Sequence, residues 1–201
     1  MIGKAGLLPS LGTGTNPLSE SIGRVITMQF EIEHRFDATP DQLLEVSLHP
    51  RLSEVLVPEM ENLVEMELLS DERSEGSCSR QVRYRPEPII RKIGPKKVEP
   101  RWMEFVEHSN ANLTERRIEY KNIPRVDTVA KILENSGTIE VSRTPNGCVR
   151  RVSGVLKIKF PLLGRLVEKT IYKQAQRLLD EEAAVTAKVL AAGGVEAFLG
   201  E

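Results

Sequence analysis

The sequence holds no run of eighteen apolar residues, so nothing in it reads as a membrane-crossing helix. Its two cysteines, Cys78 and Cys148, are too few for a disulfide scaffold, and neither lies in a CxxC or His-flanked spacing that would hold zinc. The expectation is a reduced, cytoplasmic chain with no metal and no cofactor. Neither sign of charge dominates: 28 basic and 29 acidic side chains are interspersed, for a net charge of −1. That balance supplies no global field for nucleic acid. A Gly-rich phosphate loop, an HExxH pair and a GxSxG elbow are missing too, which argues against a nucleotide- or metal-dependent enzyme. Aromatic residues are scarce at five Phe, three Tyr and one Trp, leaving few large side chains to fill an interior.

What is present begins late. Gly, Ser, Thr and Pro dominate the first 23 residues, which also lack the apolar run of a secretory signal, so 1–26 reads as a flexible arm. Met28 opens the first strong pattern and is for that reason a second candidate for the start of translation. One domain is expected over 27–192, followed by a tail over 193–201.

From Met28 the chain alternates. Met28, Phe30, Ile32, His34 and Phe36 share one face, and Gln29, Glu31, Glu33 and Arg35 the other, the period of a half-buried strand. Thr39-Pro40-Asp41-Gln42 then supplies a helix cap, a first-turn proline and a capping box. Two short helices follow, one to about His49 and one that Pro58 ends. Extended patterns take over for about a hundred residues. Val64–Leu68 and Cys78–Tyr84 read as a hairpin round a polar turn at Asp71–Gly76. Trp102–Glu107 and Leu113–Tyr120 read as the next pair, joined through His108–Asn112. The extended run from Val129 to Arg143 and the strand Cys148–Phe160 flank Thr144-Pro145-Asn146-Gly147, where Asn-Gly accepts the positive φ of a tight hairpin.

The longest pattern is Phe160–Leu190. Leu163, Val167, Ile171, Ala175, Leu178, Val185 and Val189 form a stripe at three- and four-residue spacing, with charged residues opposite. Pro161 suits its first turn and Gly193-Gly194 its stop. About 28 residues make a helix of roughly 40 Å. The element order is α+β: a strand, two short helices, antiparallel strands and a long helix. About seven strands at ~4.8 Å make a sheet about 30 Å wide, against ~10–12 Å for one helix with its side chains. The sheet must curl round the helix, and a cavity is expected where the helix fails to fill it.

The opening FEIEHRFDATPDQLLEVSLHP, the closing GVLKIKFPLLGRLVEKTIYKQAQRLLDEEAAVTAKVL and this element order resemble the START-like (Bet v 1-like, SRPBCC) superfamily over Thr27–Leu190. Within it the closing stretch is similar to an uncharacterised bacterial START-like family. The resemblance implies a helix-grip fold, a curved antiparallel sheet of about seven strands wrapped round a C-terminal helix. It also implies a cavity for a hydrophobic small molecule that is lipid-, sterol- or polyketide-like. No invariant catalytic motif transfers with it, because the superfamily shares shape rather than a site.

Three functions are weighed on these residues. The first is a carrier whose ligand is lined by Phe30, Ile32, His34, Met66, Val82 and Tyr84 on one side of the sheet. Ile139, Val141, Val152, Leu156 and Ile158 would continue that lining, with Val167, Ile171 and Ala175 of the helix above. Arg80 and Arg150 share the inward parity and would hold a ligand carboxylate or phosphate, or else snorkel to water. Tyr84, Trp102 or Glu104, and Tyr120 would orient a polar end. The second is a cyclase- or dehydratase-type enzyme using His34 as general acid or base in the same cavity, against the blander reading of a satisfied core histidine. The third is an interaction module whose loop, Ile89, Ile90, Arg91, Lys92, Ile93, Lys96 and Lys97, touches an anionic membrane. Co-flotation with anionic vesicles, weakened by salt and lost in Lys96→Glu/Lys97→Glu, is the outcome expected of the third; unchanged flotation would dispose of it.

Overall fold

The alternation at Met28 becomes the edge strand β1 (Val25–Phe36), and the capping box starts α1 (Pro40–Ser47) as expected. The Gln42 N–H donates to Thr39 Oγ1 at 3.3 Å while the Thr39 N–H donates to Gln42 Oε1 at 2.9 Å, satisfying two otherwise orphaned donors. After α2 (Leu52–Glu59) come β2 (Leu63–Ser74), β3 (Ser77–Pro86) and a small ladder of β4 (Lys92–Ile93) with β5 (Lys96–Lys97). A turn of 3₁₀ helix (Pro100–Met103) leads to β6 (Phe105–Asn112), β7 (Arg117–Pro124), the short α3 (Asp127–Ala130), β8 (Leu133–Thr144) and β9 (Gly147–Lys159). The chain closes with α4 (Arg165–Ala192) and α5 (Val195–Leu199). This structure is a computed structural model, and it describes residues 25–88, 92–93, 96–97, 99–159 and 165–201, without the side chains of 25–26, 92–93, 96, 165–171 and 174. No described helix is long and apolar enough to cross a membrane.

Seven strands form one antiparallel sheet in the order β1-β9-β8-β7-β6-β3-β2. Because β1 and β2 lie at opposite edges, the segment joining them must cross the full width of the sheet, and α1 and α2 are that crossing. They cover one end of the trough, where α4 meets them. There Leu52, Val55, Leu56, Met60, Met66, Val82, Val185, Val189 and Val195 form one apolar cluster. Phe36, Leu43, Leu44, Leu48, Val141, Cys148 and Ala183 anchor a second under α1. A fully buried Leu or Val contributes about 1.5–3 kcal/mol. The outward face is laced by cross-strand ion pairs such as Arg151 with Glu33 and Arg117 with Glu140, each modest in energy but together explaining the balanced charge.

Four boundaries differ from the sequence reading. The run expected to be extended from Val129 begins instead at Leu133, with Val129 and Ala130 in α3. The polar stretch His108–Asn112 is strand, not turn: β6 runs to Asn112, and the reversal falls at 113–116, where the Asn112 side chain accepts from the Glu115 N–H at 3.0 Å and Arg116 takes a φ of 53°. Ser109 and Ala111 point inward there, so small side chains were mistaken for turn residues. Trp102 lies in the 3₁₀ turn rather than in a strand. Residues 193–201, expected as a tail, carry α5, whose Val195 is 1% exposed in the first cluster.

One feature shapes the middle of the sheet. Gly137 and Gly154 are directly paired between β8 and β9, and the Tyr120 and Phe30 side chains lie against them. A Cβ on Gly154 would come within 2.5 Å of the Phe30 ring and 2.7 Å of Tyr120 Oη. Gly154→Ala is expected to lower stability by about 1–3 kcal/mol through overpacking, read from the urea midpoint; an unchanged midpoint would show that these rings do not press on the glycines.

Candidate functional site

Strand register aligns the inward side chains into rows across the sheet. Of the rows that cross six strands, the one nearest the α1 end runs Ile32, Val152, Ile139, Ile118, Ala111, Cys78, and is apolar. The next runs Phe30, Gly154, Gly137, Tyr120, Ser109, Arg80, and the one after it Met28, Leu156, Asn135, Asn122, Glu107, Val82. The apolar row is sealed by the cluster under α1. In contrast, Tyr120, Ser109, Arg80, Glu107 and Asn122 belong to neither apolar cluster. The trough is therefore solid carbon at one end and polar in its middle strands toward the other.

Two arginines stand in this interior, each with a side chain only 5% exposed. Arg150 is tied to α4: its Nη1 donates to Glu182 Oε1 at 2.9 Å and its Nη2 lies 2.5 Å from Oε2. Thr186 Oγ1 adds a bond to the same carboxylate at 3.1 Å, and the guanidinium lies 5.4 Å from the centre of the Phe36 ring. Burial pushes Glu182 up, but Arg150, by charge and hydrogen bond, with Thr186 and His34, brings it net below the ordinary carboxylate range. Arg150 Nη2 also reaches His34 Nδ1 at 3.3 Å. Since a guanidinium only donates, Nδ1 accepts, and Nε2–H is left to donate to Asp180 Oδ1 at 2.9 Å. His34 is thus the link between a buried arginine and a carboxylate at the surface, beside a groove lined by Glu33, Phe36, Ala183 and Ala187.

Arg80 is less well served. Its Nη1 donates to the Ser47 carbonyl at 3.2 Å, its Nε has no partner, and Asp71 lies 4.0 Å away. Asp71 is already gripped by Arg73 through two bonds of 3.0 Å. Diagonal to Arg80 on β6 stands Glu107, with no hydrogen bond or ion pair among the described residues. Burial, opposed by Arg80 and aided by Glu182, raises its carboxyl to about 7. Burial also raises the Tyr84 and Tyr120 hydroxyls, with Glu107 adding to both. Glu107 and Tyr84 are half-buried, Tyr84 packing against the first apolar cluster and stacking on Phe105 with ring centres 5.2 Å apart. Asn122 donates to Asn135 at 2.9 Å, and its own Oδ1 is buried without a partner.

The residues expected to line a cavity divide accordingly. Met66, Val82 and Val141 are packed within the apolar clusters. Ile32, Val152, Leu156 and Ile158 are buried and inward, while Phe30, Ile139, Tyr84 and Ala175 are half-buried. The side chains of Val167 and Ile171 lie outside the described residues, as do Ile89, Ile90 and Arg91 and the side chains of Lys92, Ile93 and Lys96; Lys97 is exposed. Glu104 points outward, 3.6 Å from both Arg83 and Arg125. The inward acid is Glu107, which the sequence reading passed over. The alternation Phe105, Glu107, Ser109, Ala111 carries the signal, a carboxylate among small and apolar residues. An open depression of about 740 Å³ lies over the paired glycines, where a sheet without side chains is thin, so that residues of both faces, among them Phe30, Tyr120, Glu119 and Ser153, line it. No group of three or more His, Cys, Asp or Glu suited to a metal occurs among the described residues.

Residues 31–190 match the family described as "Protein of unknown function (DUF2505)". No curated protein matches the sequence. Among solved structures, TTHA0849 from Thermus thermophilus is 19% identical with a TM-score of 0.57, covering 83% of this chain and 100% of its own. Norcoclaurine synthase from Thalictrum flavum is 17% identical at 0.59, covering 93% and 99%. The Zhui aromatase/cyclase from Streptomyces sp. R1128 is 13% identical at 0.52, covering 86% and 100%. These likenesses show the helix-grip fold, a curved seven-stranded antiparallel sheet with short helices after its first strand and a long C-terminal helix.

Removing one member of a buried ion pair strands the other, at about 3–5 kcal/mol, whereas replacing both with apolar residues is often neutral. Arg150→Leu is expected to destabilise by about 3 kcal/mol in urea, and Arg150→Leu/Glu182→Leu to recover most of it. Because the folded carboxyl of Glu182 lies below its unfolded value, its stabilising contribution is present above the unfolded pKa and lost as pH falls through the folded one. Wild-type stability should show that acid loss and the double variant should lack it; equal destabilisation of single and double variants would refute the pairing.

Proposed function

The chain belongs to the DUF2505 family of unknown function and has the helix-grip fold, and on that footing we propose that it binds an amphipathic small molecule between the sheet and α4. The observation that carries this is the inward polar row Asn135, Asn122, Glu107, in which the Asn122 Oδ1 is buried without a partner and the Glu107 carboxyl forms no bond among the described residues. An interior meant to be solid would place carbon at those positions, since an unpaired buried carboxyl or amide lowers stability by about 1–3 kcal/mol. The apolar body of the ligand would lie along Phe30, Leu156 and Ile158, its polar end toward β6 and β3. A lipid-, sterol- or polyketide-like compound has that division.

Glu107 favours a second reading, an enzyme of the cyclase or dehydratase type. A carboxyl raised to about 7 exchanges its proton readily at neutral pH, and Arg80 would stabilise an oxyanion beside it. In this reading Glu107 takes the acid–base role first considered for His34, whose two ring nitrogens are occupied by Arg150 and Asp180.

Native mass spectrometry of freshly purified protein is expected to show a co-purifying small molecule, and a neutral fluorescent lipid probe to bind with micromolar affinity and be displaced by sterols or fatty alcohols. Absence of both sinks the carrier reading. Recovery of the added compound in altered form would move the assignment to the enzyme.

A further inference from the structure

The two interior arginines are equally buried and unequally satisfied, and the difference identifies the ligand's polar group. Arg150 has a carboxylate on both terminal nitrogens, an imidazole and an aromatic face. Arg80 has one backbone carbonyl, at 3.2 Å, and no carboxylate within hydrogen-bond distance, while the Nε of both arginines is buried without a partner. Asp71, its nearest carboxylate, is committed to Arg73. Glu107 stands in the adjoining inward row without bonding to it. Diagonal to this incompletely bonded guanidinium, on the neighbouring strand, is an acid that forms no bond among the described residues. A group with two acceptor oxygens would complete both, taking a bond from each.

We propose that the trough selects an amphipathic monocarboxylate, its oxygens accepting from the Arg80 guanidinium and from the Glu107 carboxyl in its protonated form. This rests on the small-molecule reading above and names its substrate class. The surrounding charges favour one negative charge over two. Facing Glu107 among the described residues are Arg80 and Tyr84 of β3, Tyr120 of β7 and Glu182 of α4, with the Asp71–Arg73 pair of β2, Arg150 of β9 and His34 of β1 beyond. Among the described residues a phosphate dianion would meet the acids Glu107 and Glu182, with Arg80 the nearby cation that no carboxylate hydrogen-bonds. A monocarboxylate instead holds a proton on Glu107 and completes a neutral set with Arg80. Binding is therefore coupled to proton uptake, and affinity for the carboxylate falls as pH rises and Glu107 ionises.

Dodecanoate and dodecanol share a tail and differ at the head, so they separate this inference from its premise. With the full chain at pH 6, competing against the neutral probe N-phenyl-1-naphthylamine, dodecanoate is expected to bind about tenfold more tightly than dodecanol. In Arg80→Gln, checked for folding by circular dichroism, that ratio should approach one. Should Arg80→Gln fail to fold, the wild type carries the test: dodecanoate affinity should fall several-fold from pH 6 to pH 8 while dodecanol affinity stays level, and Glu107→Gln should flatten the profile. Equal binding of acid and alcohol, or a carboxylate preference that survives in folded Arg80→Gln, overturns the inference and leaves the trough reading standing. Failure of both compounds to displace the probe refutes that reading and this inference together.

Discussion

A buried ion pair fixes how the long helix lies on the sheet. Arg150 on β9 and Glu182 on α4 meet where neither reaches bulk water, and each charge would be costly without the other. A turn of α4 about its axis, or a slide by one residue, would part them and also strand Thr186 and the His34–Asp180 link. With that contact set, Ala183, Val185 and Val189 face the two apolar clusters. The closed end of the trough follows from the pair, as does the position of everything beyond it.

Beyond it the interior changes character. Along the row Asn135, Asn122, Glu107 the protein keeps polar groups on an inward face where Leu or Val would pack more stably. One of these groups is bonded to its neighbour, one oxygen lacks a partner and one carboxyl is pushed toward neutrality. Such a row weakens the empty fold and makes sense as a surface for a guest that carries its own polar atoms. The Arg80 guanidinium, one row closer to α1, has the same incompleteness with the opposite charge.

Much of the architecture was legible in the sequence, because it rests on periodicity. The alternation of Met28–Phe36, the Thr39–Gln42 capping box and the Asn146-Gly147 turn are local signals, and each stands where it was read. The inward parity of Arg80 and Arg150 was legible for the same reason. Which of the two is satisfied was not, since that depends on Glu182 reaching one arginine and on Arg73 pre-empting Asp71 from the other. Glu107 was missed through a strand boundary: starting the strand at Trp102 instead of Phe105 directed attention to Glu104. The polar run His108–Asn112 looked like a turn because small hydrophilic residues make turns in water; the same residues also suit a strand whose inner face is hydrated or occupied.

The paired glycines at 137 and 154 give the sheet a crease. Where two neighbouring strands carry no side chains, backbone torsions are least restrained and nothing braces the curl except the Phe30 and Tyr120 rings pressed against it. A sheet of this kind can open or tighten along one line while its ends stay rigid. For the ligand proposed above, the girth of the vessel would follow its contents, so bulk and outline of the greasy portion would be tolerated broadly, and selectivity would reside in the fixed electrostatics at the far wall.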